Sequence, residues 1–188
     1  MTGPSKRKNA LKVAVSQTTK LALTELKNLD PITVYLENHE PGRGSITIKC
    51  FDASWTAAWS AMGGRSVEAF FISCDDHYLA KNQSSIREEV MAEGEALTNF
   101  VRGHIIQRRK WGEFDKERAR ELWGDAEGIE ITNSYCSNPD LMAAVVGDEW
   151  WYDLPMVDNP DYTYLCRIIQ AVRDGLREYT KSTPAAAA

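Results

Sequence analysis

The chain has 188 residues, of which 43% are hydrophobic and 26% charged, a composition that predicts one compact soluble domain and excludes a disordered or fibrous protein. No apolar run approaches the roughly 18 residues that span a bilayer, and the N-terminus has no secretory signal pattern, so neither a membrane span nor classical export is expected. The net charge of −5 is unevenly spread: residues 1–20 hold Lys6, Arg7, Lys8, Lys12 and Lys20 without an acid, whereas residues 121–166 hold ten acids without a Lys or Arg.

A basic arm over residues 1–10 precedes a single domain over 11–181, and the tail 182–188 ends in four alanines, the pattern of a floppy end. Leu21, Leu23 and Leu26 suggest a short helix over 20–28, which Asp30-Pro31 ends because a residue before proline is pushed out of the helical region. The β-branched and aromatic run 32–36 predicts a strand. Pro41, Gly42 and Gly44 mark a loop of about eight residues over 37–44, and Ile46, Ile48 and Cys50 alternate with polar residues in a second strand over 45–51. Trp55 and Trp59 fit either period; continuity with the hairpin and the stop at Gly63-Gly64 favour a third strand over 54–62.

Helices then take over. Val67, Phe70, Phe71 and Cys74 predict one over 66–81, and Leu97, Phe100, Val101 and Ile105 an amphipathic one over 93–110. Asp115 is a candidate N-cap, Asn138-Pro139 a candidate helix start, and Asn159-Pro160 opens a helix with the stripe Leu165, Ile168, Ile169, Val172 and Leu176. A small antiparallel sheet of about three strands covered by several helices is an α+β fold.

Catalytic patterns are weak. Cys74 and His77, with Cys50 or Asp76, form half of a metal motif, and zinc sites ordinarily show two short spacings. Cys74 with His77 or His104 is an unsupported nucleophile, since catalytic partners are set by the fold and not by sequence proximity. The acid pairs Asp75-Asp76, Glu88-Glu89 and Asp148-Glu149 point apart wherever adjacent residues diverge, and no phosphate-binding glycine motif is present. No catalytic residue, cofactor or metal is therefore assigned. The four cysteines, Cys50, Cys74, Cys136 and Cys166, are widely spaced and expected to be thiols.

Two stretches suggest recognition. Trp150-Trp151-Tyr152 is framed by Asp148, Glu149 and Asp153, and consecutive aromatics cannot all enter one core. At least one ring should be half-exposed, and exposed aromatics rimmed by acids suit a protein–protein hot spot. Arg43 at the hairpin tip is a further candidate contact. The alternative is a nucleic-acid grip built from Lys6, Arg7, Lys8, Arg102, Arg109 and Lys110, of which Arg102 and Arg109 fall on one side of their helix, opposite its apolar stripe.

The motifs Asp-Pro-Ile-Thr-Val-Tyr-Leu-Glu, Trp-Thr-Ala-Ala-Trp-Ser-Ala-Met-Gly and Phe-Phe-Ile-Ser-Cys-Asp-Asp-His-Tyr-Leu-Ala within residues 30–82 resemble small proteins of tailed bacteriophages and prophages. Gly-Asp-Glu-Trp-Trp at 147–151 and Asn-Pro-Asp-Tyr-Thr-Tyr-Leu-Cys-Arg-Ile-Ile at 159–169 are similar to the same group. The resemblance implies a bacterial host cytoplasm and no active-site residues. That setting favours binding to a host protein or ribonucleoprotein complex, such as a defence nuclease or CRISPR machine, and the run of ten acids without a base is the feature that would support imitation of DNA charge. Nucleic-acid helper and cryptic carboxylate or Cys enzyme are the two alternative classes, and self-association through a sheet edge remains open to such a fold.

Overall fold

The computed structural model describes residues 12–132 and 135–182. Four strands, β1 (Thr19–Leu23), β2 (Ile32–Glu40), β3 (Arg43–Cys50) and β4 (Ala53–Trp59), pair antiparallel in chain order. Ile32, Val34, Leu36, Ile46, Ile48 and Cys50 all turn to one face and are buried, as the two-residue period demands. The expected strand at 54–62 is β4. The stretch 20–28, expected as a helix, instead begins with β1. Leu21 and Leu23 lie two apart and share the inner face opposite Val34 and Ile32, and the positive φ of Glu25 (59°) and Asn28 (57°) forbids helical continuation. The sheet therefore has four strands, not about three.

The expected eight-residue loop is also shorter. The β2–β3 ladder continues through Glu37–Ser45 and Asn38–Gly44 to Glu40–Arg43, with a shift between Asn38 and Glu40, so only Pro41-Gly42 turns. Gly42 at φ 81° suits the third position of a type II turn after proline. Arg43 is thus the first residue of β3 and is exposed. The outer sheet face is polar: Tyr35 lies beneath the ammonium groups of Lys20 and Lys49, 5.9 and 5.6 Å from its ring centroid.

The helices are α1 (Val67–Ser73), α2 (Asp76–Gln83), α3 (Gly94–Lys110), α4 (Lys116–Asp125), α5 (Pro139–Val145) and α6 (Pro160–Ser182). The single helix expected over 66–81 is split, because Cys74 adopts ψ 153° and Asp75 restarts the chain by accepting from the Tyr78 amide at 2.8 Å. Asp115 and Asn138 cap α4 and α5 as expected, accepting from Arg118 N at 2.8 Å and Leu141 N at 3.0 Å. All five stripe residues of α6 are buried. Short pairs complete the list: β5 (Glu89–Met91) with β8 (Met156–Asp158), and β6 (Ile131–Thr132) with β7 (Tyr135–Cys136). Strands of two or three residues carry too few alternations to be read from periodicity.

Contacts gather into two units, one of residues 1–85 with 166–188 and one of 86–165. In the first, the sheet unit, the Gly44 hydrogen faces the Glu37 carbonyl and the Val67 side chain so closely that no Cβ would fit. Trp59 meets Phe70 edge-on at 5.3 Å, and buried Arg173 of α6 reaches Asp76 at 2.6 Å and the Cys74 carbonyl at 2.7 Å. The second, the helical unit, packs Leu97, Val101 and Ile105 of α3 with Leu122 of α4 and Leu141, Met142 and Val145 of α5. The expected arm 1–10 lies outside the described residues, as does the expected tail except Ser182, the last residue of α6. Among the described residues no disulfide joins any of the four cysteines.

Candidate functional site

The aromatic turn follows from how α5 ends. Gly147 takes φ 137°, a conformation that a side chain would strain, and its amide reaches back to the Met142 carbonyl at 3.2 Å. The chain then enters a 3₁₀ turn, Trp150–Tyr152, held by Trp150 N donating to Gly147 O at 3.1 Å and Asp153 N to Trp150 O at 3.1 Å. A 3₁₀ turn sends successive side chains about 120° apart, so three adjacent rings cannot share one environment. Trp150 packs against the helical core. Trp151 and Tyr152 are 51% and 78% exposed.

Their rings are not loose. Trp150 and Trp151 meet edge-on at 5.7 Å, and Trp151 lies 5.9 Å from Tyr152, so the half-buried indole supports the next ring and that ring the third. An open hollow of about 360 Å³ lies alongside, lined by Met91, Tyr135, Cys136, Trp150, Trp151 and Leu154. Tyr135, 62% exposed, widens the aromatic surface. Nothing in its local sequence marked it, because β7 has only two residues and no alternation to read. Asp148, Glu149 and Asp153 are exposed on the same turn, and each of the ten acids between Glu121 and Cys166 is exposed. The expectation of a half-exposed ring is met. Arg43 stands in the other unit, exposed at the start of β3.

The basic candidates part company. Arg102 is spent on packing: its guanidinium lies 4.7 Å from the Trp123 ring centroid and 3.8 Å from the Glu127 carboxylate. Arg109 and Lys110 are exposed, and Lys6, Arg7 and Lys8 lie outside the described residues.

The groups weighed for chemistry have structural work. Asp76 pairs with Arg173, and Asp75 caps α2, the Tyr78 amide holding its carboxyl below the ordinary carboxylate range. Burial pushes the Cys74 thiol above its ordinary value, which disfavours the thiolate a nucleophile needs. His104 lies edge-on to Phe100 at 4.6 Å. Among the described residues no three His, Cys, Asp or Glu side chains gather as a metal site would require. No helix there is long and apolar enough to cross a membrane.

A family model described as a phage family matches residues 11–178, spanning both stretches on which the resemblance rests. No curated protein and no solved structure matches the sequence.

Proposed function

Since this chain belongs to a phage protein family, we propose that it works by stoichiometric binding of a host protein or ribonucleoprotein, of the class used in defence, through the acidic aromatic turn at 148–153. One observation carries the reading: Trp151 and Tyr152 are exposed on a turn whose neighbouring ring is anchored in the core, and exposed acids rim it. Burying an aromatic side chain on a partner removes on the order of 150–250 Å² from water, and rings already in edge-on or tilted contact lose little rotamer freedom when they dock. The acids steer a basic surface, as on a protein that has evolved to hold nucleic acid. Arg43 supplies a separate exposed cation on the sheet unit.

The test is capture from lysate of a phage-sensitive host by the full chain and by its Asp148→Lys/Glu149→Lys/Asp153→Lys variant, over a salt series. A partner recovered at low salt, released steeply as salt rises and lost with the triple variant supports acid-led recognition, since exposed charges are screened within about 10 Å at 0.1 M. A partner held equally by the variant contradicts it.

A further inference from the structure

A second concave site lies in the helical unit, between α3 and α4. Ile105, Ile106 and Arg109 of α3 face Lys116, Arg120 and Trp123 of α4 across a hollow of about 230 Å³. The α4 positions 116, 120 and 123 fall on one helical face, four and three residues apart. Ile105 is buried and forms the floor, whereas Ile106 and Trp123 remain 44% and 40% exposed.

Of the cations on α3 and α4 outside this hollow, all but Lys110 are paired. Arg102 pairs with Glu127 at 3.8 Å, Arg108 with Glu113 at 3.1 Å, and Arg118 with Glu121 at 2.6 Å. Arg109, Lys116 and Arg120 make no ion pair with any described residue. The unit from 86 to 165 has seventeen acids and eight bases. Three cations left unpaired in such acidic company, all lining one apolar hollow, repel one another and are complementary to a compact anion.

We propose that this groove binds a nucleoside phosphate, with the phosphate between Arg109, Lys116 and Arg120 and the planar base against Ile106 and the face of Trp123 that Arg102 does not cover. Guanidinium groups match phosphate oxygens as paired donors and Lys adds a point charge. An indole offers a flat apolar surface on which any base can stack. The acids elsewhere on the unit disfavour a long polyanion, so the ligand is a free nucleotide or the end of a strand, both of which present the same group.

Calorimetric titration of the full chain at low salt with adenosine 5′-monophosphate, a 5′-phosphorylated trinucleotide and inorganic phosphate tests this. Saturable one-site binding is expected for the nucleotide, about tenfold tighter than for inorganic phosphate, the low end of what base stacking adds. Arg120→Ala should weaken nucleotide binding by about tenfold, and Trp123→Leu should reduce it to the level of inorganic phosphate. Arg118→Ala, which removes a cation outside the hollow, should change neither; melting temperatures verify that each variant folds. A tighter trinucleotide identifies a strand end, and equal affinities identify the free nucleotide; either supports the site. No saturable binding, equal binding of inorganic phosphate and nucleotide, or affinities unmoved by Arg120→Ala would overturn it.

Discussion

The sheet unit and the helical unit solve different problems. In the sheet unit, four paired strands and branched aliphatic side chains bury a continuous inner face, and the outer face is polar. The helical unit relies on helices of seven to seventeen residues and strands of two or three, so loops and turns make up much of its surface. Of the large apolar side chains exposed among the described residues, Val13, Val15, Phe51 and Tyr78 belong to the sheet unit and eight to the helical unit, including Trp111, Trp123 and Trp151. Charge divides the same way: residues 1–85 and 166–188 hold fourteen bases and ten acids, against eight and seventeen in 86–165. Regular pairing holds one unit together; the other carries most of the surface chemistry that a partner could read.

That contrast can be broken at several points. The largest effect is expected at the centre of the sheet unit, where Phe71 is fully buried: Phe71→Ala should cost about 3–5 kcal/mol in denaturant unfolding. Met142, fully buried in the helical core, is the matching position, and Met142→Ala should cost about 2–5 kcal/mol. A loss near zero there would show that the helical core is loosely packed, and the contrast between the units would then include rigidity.

Arg173 is the sheet unit's buried charge. Asp76→Ala removes its partner at 2.6 Å while the Cys74 carbonyl and Gln170 still accept from it, so about 2 kcal/mol is expected from thermal and denaturant melts. In the helical unit, Asn159 donates to the Arg87 carbonyl at 2.8 Å and accepts from the Asp161 amide at 3.0 Å. Asn159→Ala should cost about 1 kcal/mol, and the amide protons of 161, which loses its side-chain acceptor, and of 159, which donates to the Glu88 carbonyl, should exchange faster.

The smallest effect is conditional on pH. The folded carboxyl of Asp75 sits below its ordinary value of 3.8, chiefly because the Tyr78 amide bonds its ionised form. Its contribution is therefore complete above that value and disappears as pH falls through the lower folded value. Asp75→Ala should lower the melting temperature at neutral pH, and the gap from the unchanged chain should close in strong acid. A gap that persists in strong acid would mean the aspartate stabilises α2 by other means.

Long, regular elements were legible from residue order alone. The α6 stripe, the alternation of 45–51 and the capping residues Asp115 and Asn138 each carry a local physical signal that packing reinforced. Residues 20–28 misled because Leu23 and Leu26 fit a helical spacing as Leu21 and Leu23 fit a strand, and pairing with β2, which is distant information, decides between them. The 66–81 stretch misled because its apolar spacing continues across Cys74-Asp75, where Asp75 starts a new helix. At the site, the Trp150–Tyr152 turn was visible as composition, since three adjacent rings must diverge. Tyr135 and the cations Lys116 and Arg120 were not, because what makes them notable is convergence with residues from other elements.

The account rests on the exposed rings at 151 and 152, and the most direct measurement removes them. Capture from host lysate by the full chain and by Trp151→Ala/Tyr152→Ala, with matched melting temperatures, should recover a partner in a one-to-one complex with the first and lose it with the second. Equal recovery by both, or no stoichiometric partner for the unchanged chain, would contradict recognition through this turn.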